Sequence, residues 1–167
     1  MHISEGILPL NWAIAWWGVT ASFLVLSVKK LKEEIETQPE KKAIFAFITA
    51  LVFLFSVIPI PVPFAGTCSH PVGVAVAVFV LGLSGSIVSG FIVLLLQALF
   101  LAHGGLSTLG ANVFSMAIGG SFSAYLIIRL FQKLNPSLYL TGFLAGLLAD
   151  WMTYLITAFQ LAIALRG

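Results

Sequence analysis

The chain has 167 residues, of which 60% are hydrophobic and only 8% charged, with a net charge of +2 and a mean hydropathy of +1.09. That much apolar surface exceeds what a soluble core hides, so the composition is that of an integral membrane protein; at ~20 apolar residues per crossing there is room for about six spans and no soluble catalytic or nucleotide-binding domain. The charge is too small to point to nucleic acid, and the single cysteine, Cys68, excludes an intramolecular disulfide or a cysteine-rich metal site.

The chain opens MHISEG. No basic stretch precedes the first apolar run, and the first lysine is Lys29, so the opening does not read as a signal peptide. Met1 is expected to persist, since initiator methionine is trimmed before small residues and His2 is not small. Apolar runs follow at residues 10–28, 43–59, 72–81, 84–102, 106–130 and 138–165, which predicts one all-α membrane domain over residues 1–167, a bundle of about six transmembrane helices. Residues 72–102 are too long for one crossing, and the sequence GLSG at 82–85 supplies the break.

Basic residues gather in KKLKEEIETQPEKK at 29–42 and at Arg129 and Lys133, and the positive-inside rule makes both places cytoplasmic. The four crossings between them satisfy the even count this requires. The N-terminus and the loops at 59–73 and 102–112 then lie on the outer side, and the three histidines, His2, His70 and His103, fall in those segments. Small residues recur at every fourth position in Gly82, Ser86 and Gly90, in Ser115, Gly119 and Ser123, and in Gly142 and Gly146 followed by Asp150. Such stripes either pack the bundle internally or present a docking face to another membrane subunit.

A free N-terminus followed by histidine offers three nitrogens in sequence: the Met1 amine, the His2 amide and the His2 Nδ1. Amine and amide close a five-membered chelate ring, and amide and Nδ1 a six-membered one. An ion that displaces the amide proton receives three nearly coplanar donors, which suits Cu(II), Ni(II) and, in suitable surroundings, Co(II). Zn(II), with its habit of tetrahedral sites, gains less. His70 is the candidate for the fourth nitrogen, because Pro71 holds the residue before it extended. A bound dication then leaves the site at a net charge of about +1 with no carboxylate required. The bland readings stand beside this one: a histidine at position 2 is often incidental, His70 serves equally as a helix cap, and His103 as an interfacial residue at a helix end. Glu5 either caps the first helix or neutralises the metal site from behind its ligands. Asn112 ends a loop with three glycines and is placed to hold it beside the metal site, which the loop is expected to cover. Cys68, next to Ser69, reads most simply as a small buried residue, since one soft sulfur would favour zinc or Cu(I). Gln97 and Gln160 read as interhelical hydrogen-bonding groups. Asp150 is the only acid inside an expected span, which makes it either a transport group or a protonated structural one.

The stretches MHISEG, GTCSHPVG at 66–73, LLLQALFLAHGGLSTLGANVFSMAIGG at 94–120 and ADWMTYLITAFQLAIAL near the end resemble the CbiM/NikM family, the substrate-capturing S components of energy-coupling-factor transporters for cobalt and nickel. The resemblance covers nearly the whole chain and leans to the cobalt branch. It implies a multi-pass protein of the cell membrane that takes Co(II) or Ni(II) as its transported substrate from outside. It works beside a transmembrane coupling subunit, cytoplasmic ATPase subunits and a small accessory membrane protein, and is not itself an enzyme. The family's ligands fall on Met1, His2 and His70, the set reasoned from the residues. Family members usually continue to one more helix, whereas this sequence stops at Gly167, as either a truncated form or part of a longer chain. Two rival classes remain: a stand-alone cation channel or secondary transporter using Asp150 as a relay, and an intramembrane metalloprotease, against which stands the lack of an HExxH sequence.

Overall fold

The computed structural model describes residues 2–58, 60–62, 67–69, 73–134 and 137–166. Its helices are α1 (Leu10–Thr37), α2 (Lys41–Val57), α3 (Val74–Phe100), α4 (Leu109–Asn112), α5 (Gly120–Leu134) and α6 (Leu138–Ala164), and a π-helical segment (Val113–Gly119) joins α4 to α5 in one rod. Two short antiparallel strands, β1 (Ile60–Val62) and β2 (Thr67–Ser69), pair within the loop after α2, with Ile60 opposite Ser69. Among the described residues, four helices, Leu10–Thr37, Val74–Phe100, Leu109–Leu134 and Leu138–Ala164, are long and apolar enough to cross a bilayer, as a multi-pass membrane protein requires.

α1 does not stop near residue 28 as the loss of hydrophobicity suggests. It continues through KKLKEEIET because those residues are strong helix formers, Leu31 is buried, and Lys32 meets Glu36 one turn on at 3.7 Å. The last rod likewise starts at Leu109 and persists to Leu134, a few residues later at each end than the apolar run.

α3 is not a straight rod. Gly82 has φ +70° and ψ −176°, a backbone region open essentially to glycine alone. The Ser86 hydroxyl donates to the Val74 carbonyl at 3.0 Å, 12 residues earlier in the chain; a continuous helix would hold them about 18 Å apart. The chain therefore reverses at Gly82, and residues 74–81 lie back against residues 83–100. Ala77 and Val93 share one apolar cluster with Ile48 and Val52 of α2, while Val74, Ala75 and Val78 join Ala124, Ile128, Ala145 and Ala149 of α5 and α6. The break read from GLSG is thus a hairpin apex.

Small residues let these elements touch. A Cβ added at Gly90 would come within 2.7 Å of the Ala117 Cβ, and the Ser86 and Ser121 hydroxyls meet at 2.7 Å. The π-helical turn releases carbonyls from the regular ladder, and hydroxyls take them up: Ser115 donates to Asn112 O at 3.2 Å and Thr153 to Ser115 O at 3.4 Å. Ser86 and Gly90 of the first stripe, and the second stripe, are therefore internal, while Gly82 at the apex has nothing within 4 Å of an added Cβ. The third is not: a Cβ at Gly142 or Gly146 meets nothing within 4 Å.

Candidate metal centre

The N-terminal segment is tucked into one end of the bundle rather than left in solvent. Ile3, 2% exposed, packs with Leu8 and Ala111, against Trp16 of α1 and Leu161 of α6. A buried backbone needs hydrogen-bond partners, and Asn112 supplies them at both polar groups of Ile3. The Ile3 N–H donates to Asn112 Oδ1 at 2.8 Å, and Asn112 Nδ2 donates to the Ile3 carbonyl at 3.0 Å. Thr108 Oγ1 donates to the same carbonyl at 2.8 Å.

His2 is held half-buried between this clamp and α3. Its Nε2 lies 3.2 Å from Gln97 Oε1. Gln97 Nε2 donates to the Ser56 carbonyl at 3.2 Å, which orients the carboxamide with its oxygen toward His2. An oxygen acceptor requires that His2 Nε2 carry the hydrogen, and the neutral ring then keeps its lone pair on Nδ1. The His103 ring stands edge-on to His2 with centroids 4.4 Å apart. A cavity of about 30 Å³ lies beneath, with His2, Ser56 and Gln97 as its polar groups among Val52, Val93 and Met116, and it has room for one or two water-sized occupants.

The loop at 102–112 lies against this segment. Gly104, at φ +83°, leaves room for its neighbours, since a Cβ there would sit 3.2 Å from Asn112 Nδ2 and 3.3 Å from His2 Cδ2. A Cβ at Gly105 would collide with the Glu5 carboxylate and backbone. Glu5 does not cap α1, whose N-cap is Pro9 with no side-chain cap bond. Its oxygens instead accept from the Ser107 N–H at 3.1 and 3.3 Å, because the loop curls back and presents that N–H to it. Hydrogen bonds from Ser107, side chain first and then backbone, hold the Glu5 carboxyl below the ordinary carboxylate range.

Of the residues singled out in the sequence, His2, Glu5, His103 and Asn112 come together here. Met1 and His70 lie outside the described residues. Cys68 and Ser69 are in β2, where their backbones pair with Pro61 and Ile60. Among the described residues, no three His, Cys, Asp or Glu side chains converge. Asp150 is elsewhere: it precedes Leu161 on α6 by about three turns, or roughly 16 Å, and its Oδ1 is sealed from solvent with no hydrogen-bond partner among the described residues. Gln160 links helices as expected, donating to Ala111 O at 3.0 Å. The parts not foreseen are Ser56, Ser107 and Thr108, and the bond from Gln97 to His2. A lone glutamine in an apolar helix signals a polar contact, but nothing local names its partner.

A sequence profile described as CbiM, cobalt uptake substrate-specific transmembrane region, matches residues 2–167. The chain is 50% identical over 167 residues to a cobalt transport protein CbiM of Geobacter sulfurreducens, covering 100% of this chain and 48% of that one. It is 43% identical over 167 residues to the protein of the same name from Sorangium cellulosum, covering 100% and 74%. It therefore spans about half the length of the first relative and about three quarters of the second. A solved structure of a truncated transition metal transporter superposes with a TM-score of 0.89 at 28% identity, over 98% of this chain and 75% of that one. With a profile matching almost end to end and a relative of known name aligned along its whole length, the chain belongs to the CbiM family.

Proposed function

We propose that this chain captures Co(II), or Ni(II), at the outer face of the membrane as the substrate-binding S component of an ATP-driven energy-coupling-factor uptake system. The names of its relatives, cobalt transport proteins, support cobalt as the cargo. The ligands are the Met1 amine, the His2 amide and Nδ1, and the His70 imidazole, a planar nitrogen set suited to these ions. The bundle has about six transmembrane helices, with its N-terminus outside; the eight-residue arm of α3 before Gly82, about 12 Å long, reaches part-way through the bilayer. This chain hydrolyses nothing. A transmembrane coupling subunit and cytoplasmic ATPase subunits, with a small accessory membrane protein, supply the work that reorients the bundle and releases the ion inward.

The observation that carries this reading is the chain Ser56 carbonyl, Gln97, His2. It fixes the one neutral tautomer whose lone pair is on Nδ1, and Nδ1 is the ring nitrogen that closes a six-membered chelate with the residue's own amide. A bond to Nδ1–H would have served a merely structural histidine as well and left the wrong nitrogen for the chelate.

The test is a calorimetric titration of the purified protein with Co(II) and Ni(II). One residue added before Met1 removes the amine from the chelate and is expected to abolish binding, and His70→Ala to change the visible absorption of the bound ion. Undiminished affinity in the extended protein would overturn the ligand assignment.

A further inference from the structure

The other end of the bundle holds a second cavity, of about 390 Å³. Its walls come from the end of α1, the start of α2, the hairpin apex of α3 and the outer turns of α5. The helix from Ser84, which lines it, to Gln97, which touches His2, spans about 20 Å at 1.5 Å per residue. The cavity is therefore no part of the metal centre.

Three cations line it, Lys30, Lys41 and Arg129, with one carboxylate, Glu34. Lys41 is matched to Glu34 at 3.3 Å. Arg129 is steered by Tyr125: its Nε donates to the phenol oxygen at 2.8 Å, and the guanidinium carbon stands 5.1 Å from the ring centroid. That bond uses Nε and leaves the two terminal nitrogens, the edge of the guanidinium suited to a pair of oxyanion acceptors. Among the described residues, neither Lys30 nor Arg129 has a carboxylate in ion-pair range. Behind them, Leu83 and Ser84 begin the second arm of α3, whose first-turn N–H groups add positive potential of the same sign. Between the cations the wall is apolar, formed by Leu31, Ile44, Phe45 and Val80.

Unmatched positive charge set over an apolar wall, where hydrophobic spans give way to basic stretches, is complementary to one kind of occupant. We infer that this cavity binds the phosphate headgroup of an anionic phospholipid, with the glycerol and upper acyl chain against the apolar wall. A free phosphate would use the charge but none of the wall. A zwitterionic lipid brings its own cation and gains less from Lys30 and Arg129. Because the cavity is lined by the hairpin apex itself, the lipid would brace the Gly82 reversal. The inference stands on charge and geometry at this end alone and does not depend on the metal reading.

Native mass spectrometry of the detergent-purified full chain with added phosphatidylglycerol or phosphatidylcholine tests it. The wild type is expected to retain phosphatidylglycerol over phosphatidylcholine, and the Lys30→Gln/Arg129→Gln double variant to lose that preference by about tenfold. Lys133→Gln, an exposed change on the same helix outside the cavity, should keep it. Equal retention of the two lipids by the wild type would overturn the assignment whether or not the double variant folds. So would thermal stabilisation by inorganic phosphate as large as that by phosphatidylglycerol, which would mark an anion site indifferent to lipid. Cobalt titration of the same samples separates the two sites, since the double variant should bind metal as the wild type does.

Discussion

Asn112 reaches back 109 residues to bond both backbone polar groups of Ile3, and so sets where the neighbouring His2 can stand. In Asn112→Ala two hydrogen bonds worth about 1 kcal/mol each are lost, and the buried Ile3 N–H is left without an acceptor at a further cost of about 1–3 kcal/mol. The N-terminal segment should then detach more readily by roughly 3–5 kcal/mol. Hydrogen–deuterium exchange over residues 2–9 checks this, together with a weaker cobalt titration; wild-type protection in the variant would show that the clamp does not hold the segment. The importance of Asn112 is legible in the sequence from its place after a glycine-rich loop, but its partner is not, because hydrogen-bond pairing across so many residues leaves no local pattern. The same holds for Glu5, whose position before a helix suggests a cap and whose real donor is Ser107 in another loop.

At the scale of helices, small residues decide which rods touch. Gly90→Leu would drive a branched side chain into Ala117, and overpacking of this kind costs about 1–3 kcal/mol. Gly142→Leu, in a stripe of the same spacing, faces open space and should change stability by less than about 0.5 kcal/mol. Thermal unfolding in detergent distinguishes them: a clear drop in Tm is expected for the first and almost none for the second, and equal drops would contradict the packing described. Both stripes look alike as sequence. Spacing says that a face is narrow, and only the placement of neighbours says whether anything is packed against it. The hairpin apex is the opposite case, since a glycine-rich break in an overlong apolar run is visible in the chain, and Gly82 is the residue able to adopt the required backbone angles.

For the whole molecule, the proposed sidedness makes one direct prediction. In a Cys68→Ser background, Leu106→Cys in the loop beside the proposed metal centre should react with a membrane-impermeant maleimide added to intact cells, whereas Glu36→Cys at the end of α1 should react only after lysis. Both positions are exposed in the fold, so reversed labelling would invert the topology. Membrane residence, the helical class and the small polar inventory were all determined by the sequence itself, which also proposes His2 and His70 as donors. Partition of a segment into lipid depends on its own side chains, and metal preference on the type of donor atom, and both are local properties. Only the tertiary structure decided that α3 turns back on itself, that the segment carrying His2 is buried under Asn112, and that Gln97, 95 residues away, selects its tautomer. Those facts depend on which surfaces meet after packing, a property of all the helices at once.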